Sequence, residues 1–170
     1  MKLERRFFAR DVLEVAPELV GKLLVHKTPQ GISRLRITET EAYRGETDTA
    51  CHASHGRTKR SEVLYMEPGT IYVYLCYGIH WLINIVTGRV DQPQAVLIRA
   101  CETAPGPGRL TRALGIDGRF NRGDITKDPR LWIEDDGLRC SILTDTRVGI
   151  AYAAKEDQEK LWRCKMGGLS

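Results

Sequence analysis

Nowhere in these 170 residues is there an apolar run long enough to span a bilayer. The amino terminus, MKLERRFFARDV, puts charges where a secretion signal needs an apolar centre, so export is not expected. The five cysteines (Cys51, Cys76, Cys101, Cys140 and Cys164) are an odd number and include no C-x-x-C pair. That argues against a disulfide framework or a zinc ribbon, and for a reducing compartment. G-x-G-x-x-G and Walker loops are missing, so a nucleotide-cofactor enzyme has no support. Internal repeats and low-complexity linkers are missing too, and the length suits one domain, residues 1–170. The charge is only +4, with a pI of about 8.9, which is compatible with a polyanionic partner but does not identify one.

What is present reads as strands with short turns. KLLVHK and SRLRITETEAY alternate as strands around the turn signal TPQG. TIYVYLCY and HWLINIV are strands joined at Gly78, and QAVLIRACE is another. Helical spacing of Val12, Val15 and Leu19 is broken by Pro17, and GPGRLTRALGI reads as a short helix after a Pro/Gly start. RLWIED and TRVGIAYA are late strands or loops. The class this predicts is α+β, built on an antiparallel sheet.

Polar chemistry is densest from Ile37 to Ser61, ITETEAYRGETDTACHASHGRTKRS. Glu39 and Glu41 share one face of a strand. Asp48, His52 and His55 follow in a loop, and Arg57, Lys59 and Arg60 close the segment. Three readings stay open here. The charges are a solvated face; or Glu41, His52 and His55 form a metal site, although H-x-x-H in a Gly-flanked loop lacks the rigid helical spacing of H-E-x-x-H; or a catalytic carboxylate with a nearby histidine is fed by a cationic rim that holds an anionic substrate.

The apolar hairpin favours the third reading with a nucleic acid as substrate, phosphates on the basic cluster and bases on tyrosines. Tyr72 and Tyr74 lie on one strand face, and Val73, Leu75 and Tyr77 on the other. Asn84 stands among Leu82, Ile83, Ile85 and Val86, as a satisfied core amide or a reader of ligand edges. Tyr77-Gly78 puts an aromatic ring at a hairpin tip, where polar residues are usual.

Read in order, TETEAY, DTACHAS, GRTKR, PGTIYVYLCYGIHWLIN, AVLIRACE, GPGRLTRALGI and RVGIAYA cover nearly the whole chain. In this combination the chain resembles the alkyladenine (3-methyladenine, or methylpurine) DNA glycosylase family of base-excision repair. The resemblance implies a single compact domain with a curved, open-barrel-like antiparallel sheet, short flanking helices and a protruding β-hairpin that enters DNA. It implies a monofunctional hydrolase that flips damaged purines (3-methyladenine, 7-methylguanine, hypoxanthine, ethenoadenine) out of double-stranded DNA and cuts the N-glycosidic bond, with no metal, no cofactor and no lyase step. A non-catalytic module that binds damaged DNA is the alternative, and Glu41 is the residue such a module would not need.

Carried over by that resemblance, Glu41 is the general base, and His52 and Arg99 hold the attacking water and the base. Tyr43, His52 and Tyr74 sandwich the flipped base over Asn84. Tyr77 fills the gap in the duplex, and Arg57, Thr58, Lys59 and Arg60 grip the backbone. A monomer is expected, in the cytoplasm with the nucleoid or, in a eukaryote, in the nucleus. Two places depart from the family pattern: Ser61 stands where asparagine often follows R-T-x-R, and Cys76 and Ile79-His80-Trp81 vary the hairpin.

Overall fold

Fourteen residues form one continuous strand, β2 (Gly31–Arg44). The computed structural model, which describes residues 1–170, builds its sheet around this strand. β1 (Leu23–Thr28) pairs with the first half of β2, across a turn at Pro29-Gln30. β5 (Gln94–Cys101) pairs with its second half, and β8 (Arg163–Leu169) pairs with it at Glu39–Glu41. The full path runs β3 (Ile71–Cys76), β4 (His80–Thr87), β5, β2, β1, β6 (Leu131–Glu134), with β7 (Cys140–Asp145) joined through β8. All pairings are antiparallel. The β2–β5 register shifts on either side of Glu39. A strand that changes neighbours around such an irregularity bends, and the sheet curls into a half-barrel.

Four short helices flank the sheet: α1 (Arg5–Phe8), α2 (Val12–Leu19), α3 (Pro107–Leu114) and α4 (Lys155–Gln158). The Asp11 side chain caps α2 by accepting from the Leu13 N–H. The sequence suggests a break at Pro17, but α2 continues to Leu19. Because the helix starts only at Val12, Pro17 falls in its last turn and removes a single i→i−4 bond. Of the two uncertain segments, RLWIED contains strand β6, whereas the chain from Thr146 to Ala154 is a loop. Strands β7 and β8 are additions that the sequence reading lacks.

Helix α3 begins with Pro107 at its first turn and is closed by Gly115 in the left-handed region, φ 69°. It braces β4 of the β3–β4 hairpin on the side next to the tip, and Thr111 donates to the Trp81 carbonyl at 2.7 Å. A Cβ at Gly108 would stand 2.9 Å from the His80 ring, and one at Gly118, in the short turn that follows the helix, 2.9 Å from Trp81. The main core packs α2 and α3 against the sheet through Leu19, Ile37, Ile71, Ile83, Ile98 and Leu110. A second, smaller cluster holds Cys51, Leu64, Tyr65, Tyr72 and Val86, with Tyr43 and Tyr74 packed onto it. That cluster supports the site.

Candidate active site

Glu41 is fully buried in β2. Its Oε1 accepts from the Tyr43 hydroxyl at 3.1 Å and lies 3.8 Å from the Arg99 guanidinium. Its Oε2 accepts from the Val148 backbone N–H at 2.7 Å. Arg99 also approaches Glu39 at 3.9 Å, so the two carboxylates do share a strand face and a cation. Burial pushes the Glu41 carboxyl above its ordinary value, while the Val148 N–H, Arg99 and Tyr43 pull it down. The upward effect wins. A carboxylate poised in this way can take a proton from water or stabilise a developing cation.

The carboxylate opens on an aromatic recess. Tyr43, His52, Tyr72, Tyr74, Asn84 and Tyr152 are among the residues lining a small recess. A larger, open cleft joins Glu41, Tyr43, His52 and Tyr74 to Arg99, Arg60 and the hairpin tip. The structure thus gathers Glu41, Tyr43, His52, Tyr74 and Arg99 around one opening. Asn84 is buried at the recess and donates to the Tyr72 carbonyl at 3.2 Å, so it is anchored by the strand opposite. The His52 ring meets Tyr74 edge-on, with centroids 4.8 Å apart. Its Nδ1 is 2.8 Å from the Tyr72 hydroxyl. Burial, with the Arg60 and His55 charges, depresses the His52 imidazole to about 4, so it is neutral near pH 7. The grouping of Glu41, His52 and His55 that the sequence leaves open does not assemble, and no three His, Cys, Asp or Glu side chains converge as metal ligands.

Sequence reasoning missed the scaffold of this site. Arg147 and Asp48 form a buried ion pair, with bonds of 2.7 and 2.9 Å. Arg147 also donates to the Ala42 carbonyl and lies over the Tyr43 and Trp162 rings, 5.0 Å from each. It therefore ties the 146–154 loop to β2, which brings the Val148 N–H onto Glu41. The same loop supplies Tyr152, whose hydroxyl donates to the Ala50 carbonyl at 2.7 Å. Tyr72 was legible by its parity with Tyr74. Nothing local in the sequence pairs Arg147 with Asp48.

The hairpin tip is apolar and bare. Tyr77 is 91% exposed and Ile79 71%. Tyr77 and Gly78 both have positive φ, 53° and 66°, and the Ile79 N–H closes the turn onto Cys76. Positive φ costs a non-glycine residue about 1–2 kcal/mol, so a tyrosine here is a strained choice.

The basic cluster is less free than its sequence suggests. Arg57 pairs with Asp91 and covers the Tyr65 ring at 4.2 Å. Arg60 lies over Tyr74 at 4.7 Å. Thr58 and Ser61 knit the turn instead: Ser61 Oγ accepts from the Thr58 N–H at 2.8 Å and donates to the Gly56 carbonyl at 2.8 Å. Ser61 thus holds the turn through its own hydroxyl.

The sequence profile of the Methylpurine-DNA glycosylase family matches residues 6–105 and 102–168. Three relatives carry the name "Putative 3-methyladenine DNA glycosylase". The one from Nitrosococcus oceani is 42% identical, over 95% of this chain and 88% of its own. The one from Methanocella arvoryzae is 41% identical, over 95% and 90%. The one from Borreliella afzelii is 40% identical, over 98% and 96%.

Proposed function

This chain belongs to the methylpurine-DNA glycosylase family, a DNA glycosylase of base-excision repair, and from that premise we propose that it flips damaged purines out of duplex DNA and hydrolyses their N-glycosidic bond with a water activated by Glu41. The observation that carries this reading is the buried Glu41 carboxylate, open to an aromatic recess and 3.8 Å from Arg99.

The physical sequence is direct. A stacked base is out of reach, so it is turned out of the helix (glycosylases are a standing example of base flipping). Tyr77, bare at the tip of a braced hairpin, fills the gap, as apolar wedges in the minor groove do. The flipped base enters between Tyr43, His52 and Tyr74, over Asn84. Electron-poor alkylated purines stack well on tyrosine rings. Asn84 would clash with the 2-amino group of guanine, which disfavours a normal base.

Bond cleavage passes through an oxocarbenium-like state. Glu41 takes the proton of the attacking water, and its charge stabilises the sugar cation, as in inverting glycosidases. Arg99 and the neutral His52 orient that water. No lyase step, metal or cofactor enters this proposal, and the protein acts as a monomer. Arg57, Thr58 and Lys59 meet the phosphates as the duplex docks.

The test is incubation with duplexes bearing a single hypoxanthine, ethenoadenine or 3-methyladenine, followed by assay for abasic sites. Release of the damaged base by the wild type and not by Glu41→Gln supports the reading. Binding without release by the wild type would make the protein a damage-binding module.

A further inference from the structure

Three arginines near Glu41 are neutralised. Arg99 lies within 4 Å of Glu39 and Glu41, Arg147 bonds Asp48, and Arg163 pairs with Glu39 and Asp145. Arg60 is different. It has no carboxylate partner; its guanidinium lies over the face of Tyr74 instead, 4.7 Å from the centroid. Tyr74 is also a wall of the recess, and Arg60 lines the cleft beside it. The empty site therefore holds a planar, delocalised cation of its own against a ring that a flipped base would use.

We propose that Arg60 is a specificity-determining residue that biases the pocket against positively charged bases and towards neutral ones. This rests on the reading of the recess as a base pocket. When a base enters, Arg60 gives up some or all of its place on Tyr74 but remains tethered at the rim. A neutral purine meets a cation that it can stack beside. A purine with a fixed positive charge meets a like charge that no carboxylate screens. The field of Arg60 already acts inside the pocket, since it is among the charges that keep His52 unprotonated. Across the cleft, Arg109 at the start of α3 is also without a carboxylate partner, but it covers no ring of the recess.

The experiment compares Arg60→Gln and Arg109→Gln with the wild type. Single-turnover release is measured from otherwise identical duplexes carrying 7-methylguanine, which is cationic, or hypoxanthine, which is neutral. Arg60→Gln is expected to raise the cationic-to-neutral rate ratio by about tenfold over wild type, the scale of one 1.4 kcal/mol interaction. Arg109→Gln is expected to leave the ratio within about twofold, because Arg109 covers no ring of the recess and any effect on binding falls on all duplexes alike. Arg60→Lys, which keeps the charge, should retain the wild-type ratio. An unchanged ratio in Arg60→Gln, with both rates lowered or both intact, overturns the proposal and leaves Arg60 a backbone contact or a surface residue. Release of neither base by the wild type overturns the reading of the site itself, and this inference with it.

Discussion

The backbone N–H of Val148 donates to Glu41 Oε2 at 2.7 Å, across 107 positions of sequence. One carboxylate oxygen is thereby fixed by the main chain, and the other faces Tyr43 and Arg99. Glu41 is oriented from two sides and does not depend on its own strand alone.

Replacing Glu41 with Gln keeps this shape and removes the base. A glutamine can still accept from Val148 and offer its amide to the Tyr43 oxygen. Excision should fall by about a hundredfold or more, while the affinity for damaged duplex is retained. Burial raises the Glu41 carboxyl in the fold, so ionised Glu41 weakens the folded state above that value. Glu41→Gln should therefore unfold at the same temperature as wild type, or higher, at pH 8. Excision within a few-fold of wild type would remove Glu41 from its role.

The pH profile follows from the same shift. Only ionised Glu41 serves as a base, so single-turnover excision should climb with pH through an inflection above the ordinary glutamate range. His52, held near 4, should add no second inflection close to neutrality. Its sign on stability is opposite in kind to that of a paired histidine. The unfolded chain binds a proton near pH 6.5 and the folded chain only near 4, so stability should decline as pH falls between those values. Chemical denaturation at several pH values should show a flatter acid limb in His52→Gln.

Removing one partner of the buried Arg147–Asp48 pair strands a charge. Asp48→Asn should cost about 3–5 kcal/mol in denaturant unfolding. It should also loosen the 146–154 loop, and excision should then drop even at temperatures where the variant is folded. A loss under 1 kcal/mol would show that the pair is solvated.

Lys59 has no ion-pair or ring partner, whereas Arg57 is tied to Asp91 and Tyr65. Lys59→Ala should lower the slope of log K against log salt by about one. Arg57→Ala should change it less, because that charge is already partly neutralised. Equal slopes in Lys59→Ala and wild type would leave Lys59 facing solvent in the complex.

Tyr77 occupies a left-handed turn position that suits asparagine. Tyr77→Asn should fold with equal or slightly greater stability, by up to about 1 kcal/mol. It should lose the flipped state on a well-paired lesion far more than on a mismatched one. Fluorescence of an ethenoadenine probe reports flipping directly, and unaltered flipping by this variant would remove Tyr77 as the wedge.

Local pattern made part of this architecture legible. Parity on β3 separates Tyr72 and Tyr74 from Tyr77, and parity on β2 joins Glu39 with Glu41, because strand geometry has a period of two. The late strands were harder to see. β8 carries Gly167-Gly168, and β7 has mostly half-exposed or exposed side chains, so neither has the apolar alternation of β3. The Arg147–Asp48 contact joins residues 99 positions apart, a distance at which no periodicity speaks. Pro17 misled because its cost depends on where a helix begins, and Asp11 sets that.

The wall of the recess also contains the buried Cys51, its thiol pushed by desolvation up to about 11.

 

A thiol reacts with electrophiles as its thiolate, and with its titration pushed up by burial Cys51 carries almost none of that charge at pH 7. The buried thiol in the recess wall is therefore slow to react with alkylating chemicals. The exposures that create work for a protein of this family should leave this part of its recess wall unmodified.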